Sequence, residues 1–267
     1  MSDRTDWLGL AGRVAIVTGA GGGMGRASAA SLAAAGCRVA CLDRDVANAR
    51  ETVAGIGEAA LAIACDVSDP EAVAAAAAES LAAFGPADIL VNNAGMLRPG
   101  PLATLPPAEW NALLSVNLTG YFLCAQAFGR QMREAGRGGT LVHVASVAAH
   151  HATACGGAYS AAKAGIVMLS RQLAVEWASD RIRSNCINPG MIRTPLSEAF
   201  YQQPGATEKR SAVIPSGRIG RPQDIADAVL FLASPRSEYV NGDEITVDGG
   251  YTRNAMGLIP RAGYEKL

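Results

Sequence analysis

Seven short strand-like runs, most of them largely apolar and each separated from the next by a longer stretch, limit this chain to a narrow set of folds. The runs are Arg13–Thr18, Arg38–Asp43, Ala59–Cys65, Asp88–Asn92, Thr140–Ala145, Arg183–Ile187 and Glu244–Val247. Most of them do not alternate apolar with polar residues, as a strand with one wet face must. Continuous burial on both faces is the signature of a parallel sheet covered by helices on either side. Strand–helix alternation along the whole chain therefore predicts an α/β fold: a doubly wound, Rossmann-type parallel sheet of seven strands in a single domain spanning 1–267. Helices are expected at Gly25–Ala35, stopped by Gly36, and at Pro70–Phe84, with Ser68 as its N-cap and Pro70 in the first turn. The apolar fraction, 49% of 267 residues, supports one large core and excludes disorder for most of the chain.

Residues 194–221 carry Pro195, Pro204, Gly205, Pro215, Gly217 and Gly220 and read as a long irregular segment, a substrate loop or lid. Residues 1–8 form an N-terminal arm and 252–267 a C-terminal extension. The segment Met1–Trp7 shows no apolar signal core, and no run of 18 apolar residues offers a membrane span, so a cytoplasmic location and no membrane partner are expected. A net charge of −1 argues against a nucleic-acid surface. The six cysteines form no C-x-x-C pair and lie mostly in apolar runs, which favours buried free thiols over disulfides. No metal-ligand spacing is present, and no metal is predicted.

The first apolar run leads into Thr18-Gly19-Ala20-Gly21-Gly22-Gly23-Met24-Gly25 and then a helix. Glycines admit positive φ and close backbone approach, and the uncapped helix start offers N–H groups and a positive dipole end to a pyrophosphate. A glycine-rich loop alone fits an ordinary tight turn equally well; its place after the first strand favours dinucleotide binding through Gly19, Gly23, Met24 and Gly25. Asp43 closes the second run and can accept hydrogen bonds from both ribose hydroxyls while repelling a 2′-phosphate, which favours NAD. Arg44 follows at once and can hold that phosphate, so NADP stays open. Asp66-Val67 ends the third run, where it reads either as a cofactor contact or as a helix-entry turn.

Tyr159 and Lys163 stand one helical turn apart on a predicted helix running to about Trp177, so they face the same way. An ammonium at close range favours a phenolate. Bringing a tyrosine from about 10 to near 7 requires about 4 kcal/mol, which one charge at intermediate dielectric can supply. Alone, such a pair also fits a surface contact. Asn92-Asn93-Ala94-Gly95 ends the fourth run, Asn117 sits within a helix, Ser146 lies thirteen positions before Tyr159, and Pro189-Gly190 follows the sixth run. With T-G-x-x-x-G-x-G and Y-x-x-x-K, this order resembles the short-chain dehydrogenase/reductase family in its compact branch of about 250 residues, from about Gly9 to Tyr251.

The resemblance implies roles. Tyr159 is the general acid/base, Ser146 holds the substrate oxygen, and Lys163 lowers the Tyr159 pKa and binds the nicotinamide ribose. Asn117 holds a water on a proton exit path. Asn93, Ala94 and Gly95 flank the cofactor, and Ile192 and Thr194 contact the nicotinamide amide. It also implies a homotetramer packed through the helices around Asn117 and Lys163. The activity implied is NAD-dependent interconversion of a secondary alcohol and a ketone, a small molecule being the partner. An NADP-linked 3-oxoacyl carrier-protein reductase is the alternative enzyme, using Arg44, Arg98, Lys209 and Arg210. A non-catalytic dinucleotide sensor is disfavoured by the complete tetrad. Enoyl reduction is disfavoured because relatives with that activity space Tyr and Lys more widely. His150 and His151 precede the catalytic helix and read either as contacts to a polar substrate or as bonded, solvated histidines. Met96, Leu97, Met191, Leu196, Phe200 and Tyr201 read as an apolar substrate wall or as ordinary packing.

Overall fold

A computed structural model describes residues 7–259. Seven strands form one sheet: β1 Val14–Thr18, β2 Arg38–Asp43, β3 Ala60–Ala64, β4 Ile89–Asn92, β5 Gly139–Val144, β6 Ile182–Pro189 and β7 Glu244–Val247. Their order is β3-β2-β1-β4-β5-β6-β7, and every pairing is parallel. The sheet is thus the doubly wound one the apolar runs predict. The order reverses between β1 and β4, and a crevice opens there at the carboxyl ends of the strands.

Within β1, Val14 and Ile16 join a core cluster with Phe128 and Met132, while Ala15 and Val17 join another with Leu32 and Val229. Both faces of the same strand are buried, which is why its sequence does not alternate. The helices are α1 Gly23–Ala34, α2 Val46–Ile56, α3 Pro70–Phe84, α4 Pro107–Leu114, α5 Gly120–Ala135, α6 Tyr159–Glu176, α7 Ala206–Ala212 and α8 Pro222–Ala233. A single widened π-turn, Ser115–Thr119, joins α4 to α5. The continuous stretch Pro107–Ala135 is long and apolar enough to cross a membrane by length and composition, with half of that window buried. Its inner face carries Tyr121, Phe128 and Met132, packed in the core.

Four local expectations change. Helix α1 begins at Gly23 rather than Gly25, because Gly22 is already the extended N-cap. Asp69, not Ser68, caps α3 by accepting from the Glu71 amide, while Ser68 turns back to bond Asp66. Strand β6 runs on through Pro189, held by its pairing to β7. The segment 194–221 is not structureless. Thr194 and Ser197 form a reciprocal capping box that starts a 3₁₀ segment, Pro195–Tyr201, and α7 follows. Of the terminal extensions, residues 1–6 and 260–267 lie outside the described residues, which leaves Trp7, stacked under Arg236, and a 3₁₀ turn at Ala255–Leu258.

Candidate active site

The crevice at the β1/β4 reversal is a cavity of about 310 Å³. One end is built by the glycine loop. Gly19 takes φ +64°, and a Cβ there would stand 2.8 Å from the Ala94 Cα, so only glycine fits between β1 and the loop after β4. Asn93 staples the two loops: its Nδ2 donates to the Thr18 and Gly19 carbonyls at 3.0 and 3.2 Å, and its amide donates to Thr18 Oγ1 at 2.9 Å. The N-terminus of α1 has no side-chain cap and no acidic residue in its first turn. Its free N–H groups and dipole therefore face the crevice as an anion cradle.

Asp43, at the end of β2, lines the same cavity with Arg44. Its carboxylate is oriented by the loop itself, accepting from the Gly21 amide at 2.8 Å and the Asp45 amide at 2.9 Å. Each oxygen keeps a lone pair for a further donor. Asp66 and Val67 also reach the cavity. The Asp66 carboxyl lies below the usual range, chiefly because the Ser68 hydroxyl and amide donate to it against the opposing effect of burial. The helix-entry turn and the wall of the cleft are thus the same structure. Gly22, Cys65, Val116 and Pro195 line the cavity as well. None of these was singled out by the sequence, although the uncapped helix start already pointed to Gly22.

The far end is catalytic in composition. Tyr159 and Lys163 enter from the first turns of α6, on one helix face. The Lys163 ammonium lies 5.6 Å from the Tyr159 ring centroid and donates to the Val144 carbonyl at 2.8 Å. Burial pulls the Lys163 pKa down to about 7. Burial also raises the Tyr159 phenol above its ordinary value, and a hydrogen bond with Ser146 offsets part of that rise. This differs from the expectation that Lys163 lowers Tyr159. Desolvation is the leading cause for both groups, since each loses water on entering the closed end of the cleft.

The cavity brings together Gly19, Gly23, Met24, Asp43, Arg44, Asp66, Val67, Asn93, Ala94, Gly95, Tyr159, Lys163 and Thr194. The other expected residues stand behind it. Gly25 lets α1 pack against the Gly19 carbonyl, with 2.5 Å between a would-be Cβ and Asn93 Nδ2. Pro189 ends β6, and Gly190 passes so close to Asp248 that a Cβ would meet its Cβ at 2.6 Å. Ile192 is buried and packs against Gly220. Asn117 is fully buried in the π-turn, where its Oδ1 accepts from the Met96 amide at 2.8 Å and its Nδ2 donates to the Met96 carbonyl at 2.9 Å. Its amide therefore shapes the loop after β4. Ser146 caps the turn Val147–Ala149 by accepting from the Ala148 amide at 3.1 Å.

His150 and His151 border a different cavity, with Asn188, Glu244 and Arg253. His150 Nε2 bonds Glu244 Oε2 at 2.6 Å, so the bonded-histidine reading holds for it. Met96 and Leu196 line the main cleft, whereas Met191 lines a third cavity beside Asp248. Phe200 and Tyr201 hold Arg210 over their rings at 5.5 and 4.9 Å. None of the cysteines is in a disulfide; five are buried and Cys155 is exposed. Among the described residues, no group of three His, Cys, Asp or Glu side chains is placed to hold a metal ion.

Comparison with known proteins agrees with this geometry. A family model described as enoyl-(acyl carrier protein) reductase matches residues 19–252. A D-threitol dehydrogenase of Mycolicibacterium smegmatis is 42% identical over 246 residues, covering 91% of this chain and 94% of that protein. A galactitol 2-dehydrogenase (L-tagatose-forming) of Cereibacter sphaeroides is 39% identical over 246 residues, covering 91% and 96%. The crystal structure of a 3-ketoacyl-(acyl-carrier-protein) reductase from Brucella melitensis complexed with NADH superposes with a TM-score of 0.85 at 36% identity, covering 91% of this chain and 99% of that one. A dinucleotide-shaped crevice at the sheet reversal, a Tyr–Lys pair at its closed end and full-length similarity of this kind have one reading: the chain belongs to the short-chain dehydrogenase/reductase family of NAD(P)-linked oxidoreductases.

Proposed function

We propose that the protein is an NAD-dependent dehydrogenase that interconverts a secondary alcohol and a ketone, with Tyr159 as the general acid/base. One observation carries the reading: a single cleft has Asp43 at one end and the Tyr159–Lys163 pair at the other. The glycine cradle, with its uncapped helix start, fits a pyrophosphate, and Asp43 fits an unphosphorylated ribose. When bound, the dinucleotide supplies the hydride acceptor for oxidation and the donor for reduction.

The chain's own residues manage the proton. In oxidation the Tyr159 phenolate takes the hydroxyl proton as the C–H pair leaves as hydride and the C=O bond forms. In reduction the phenol returns it. Ser146, whose hydroxyl lowers the Tyr159 phenol against the effect of burial, is proposed to hold the same oxygen. Lys163 favours the phenolate by its charge and is placed to hold the nicotinamide ribose. The Asn117 side chain bonds both the amide and the carbonyl of Met96, and a water on the proton exit path is proposed beside it.

Small polyols enter the substrate class through the names of the two relatives. Met96 and Leu196 set an apolar wall opposite. A homotetramer is supported by the outer face of α5 and α6, where Phe122, Met168 and Val175 are exposed beside Ala161 and Ala164. A cytoplasmic location is supported by the cysteines, none of which is in a disulfide. The NADP-linked reductase is kept as a second reading by Arg44, which lines the cleft beside Asp43.

The test is a panel of 2-butanol, D-threitol, galactitol and a 3-hydroxyacyl thioester with NAD⁺ and NADP⁺, read as reduced-nicotinamide absorbance, with mass measured by light scattering. Turnover of an alcohol with NAD⁺ preferred supports the proposal. Preference for NADP⁺ with the thioester overturns it.

A further inference from the structure

Lys163 is held from behind by a second tyrosine. Its Nζ reaches the Tyr121 hydroxyl at 3.4 Å and lies 5.2 Å from the Tyr121 ring centroid, against 5.6 Å for the Tyr159 ring. The ammonium thus sits between two phenols, one facing the cleft and one sealed in the core. Tyr121 is 1% exposed. Its hydroxyl donates to the Val144 carbonyl at 2.9 Å, the same carbonyl that accepts from Lys163 at 2.8 Å. With that proton committed, the oxygen turns lone pairs to Lys163.

Tyr121 is held through its backbone and along its ring as well. Asn92 Nδ2 donates to the Tyr121 backbone carbonyl at 3.0 Å and touches His143 Nδ1 at 3.2 Å. The His143 ring stacks on Tyr121 with centroids 6.0 Å apart, and its Nε2 bonds Ser184 Oγ at 3.1 Å. A buried hydroxyl costs free energy unless it is bonded, and phenylalanine would fill nearly the same volume without that cost. The bond that justifies the hydroxyl is the one shared with Lys163 and Val144.

We infer that Tyr121 is a positioning residue for Lys163, whose hydroxyl fixes the ammonium beside the Val144 carbonyl and keeps it charged behind the reacting phenol. The inference rests on Tyr159 being the group that exchanges the proton. The titratable groups around the pair are Tyr159 on α6, Cys186 on β6, Cys124 on α5 and His143 on β5. Burial holds His143 near 3 and pushes Cys186 up to about 12, with Cys124 raised as well. None of these three carries charge near neutrality. Tyr121 itself stays a phenol, because burial holds it well above the ordinary tyrosine value. Lys163, drawn down to about 7 by burial, is therefore the member of this group that titrates near neutrality.

The experiment is a tyrosinate absorbance titration of the full-length protein with NAD⁺, for wild type, Tyr159→Phe and Tyr121→Phe. One tyrosinate step should vanish in Tyr159→Phe, which identifies the Tyr159 step. In Tyr121→Phe it should move upward by about half a pH unit, equivalent to about a threefold loss of phenolate on the rising limb. The sign follows because a lysine that loses an acceptor holds its proton less well, and a less charged lysine favours the phenolate less. Ring-fluorinated tyrosine at position 121 keeps the fold and weakens the acceptor; it should move the step in the same direction by less, and it serves if Tyr121→Phe does not fold. A step that vanishes in Tyr159→Phe but stays in place in both position-121 variants overturns the inference alone. A titration in which no step vanishes in Tyr159→Phe overturns the reading of Tyr159, and the inference with it.

Discussion

Asp43→Ser is the sharpest perturbation of cofactor choice. The carboxylate is held rigidly by the Gly21 and Asp45 amides at 2.8 and 2.9 Å, so its free lone pairs are already aimed into the cleft. Hydrogen bonds to a charged acceptor contribute about 1.5–3 kcal/mol. The cleft is open to water, so the lower half of that range suits the pair of ribose contacts. NAD should therefore bind roughly 10- to 30-fold more weakly. Removing the carboxylate also removes its repulsion of a 2′-phosphate, about 1–2 kcal/mol at a screened, partly exposed site. It frees Arg44 to approach that phosphate, and NADP should improve about tenfold. The ratio of kcat/KM for NAD⁺ to that for NADP⁺ should fall by about two powers of ten. The two amides lose their acceptor but can turn to water, so Tm should drop by only about 2–4 °C, corresponding to ~1 kcal/mol. The assay is kcat/KM for both cofactors with one alcohol, beside a thermal melt. An unchanged ratio in a variant that melts normally would refute Asp43 as selector, as would a wild type that already prefers NADP⁺.

Further outcomes follow from the same geometry. Tyr159→Phe should lower kcat by about 10²- to 10⁴-fold while NADH affinity, read by fluorescence, changes little, because the pyrophosphate and adenosine-ribose contacts lie at the other end of the cleft. Lys163→Met should raise stability most in acid. The wild-type folded value near 7 lies below the unfolded value of 10.5, so the cost of burying the ammonium is full below pH 7 and fades between pH 7 and 10.5. Its Tm gain should be larger at about pH 6 than at about pH 9, and an equal gain at both would contradict a depressed lysine. Gly19→Ala puts a Cβ 2.8 Å from the Ala94 Cα at a positive φ. It should cost about 1–3 kcal/mol of stability and abolish measurable NADH binding by calorimetry; near-normal binding would show that the loop is not a cradle.

How much of this was legible in the linear chain depends on the range of the physics. Local rules act over a few residues, and they work here. The strand-like runs lie within two residues of β1 to β7, because burial on both faces demands continuous apolar residues. Tyr159 and Lys163 share a helix face because α-helical geometry requires it. Gly19, Gly23 and Asp43 reach one cleft because a βαβ unit brings the first turn beside the end of the second strand. Where several weak local options compete, the outcome turned on which short-range bond formed. Ser68 lost the cap of α3 to Asp69 because Ser68 found Asp66, and 194–221 gained a 3₁₀ turn and a helix through the Thr194–Ser197 box.

The tertiary structure alone decided the long-range pairings, which no periodicity encodes. His150 was drawn away from the cleft by Glu244, 94 residues on in sequence, and Asn117 spends its amide on Met96. Tyr121 carried no signal in the sequence beyond being one apolar residue in a helix, yet the fold places its hydroxyl against Lys163, 42 residues away. Burial also enters the electrostatics. One helical turn between lysine and tyrosine predicts a lowered phenol, but the pKa of each group also depends on how much water the surrounding elements remove. That desolvation is a property of the packed sheet and helices, and the spacing of two residues on one helix does not contain it.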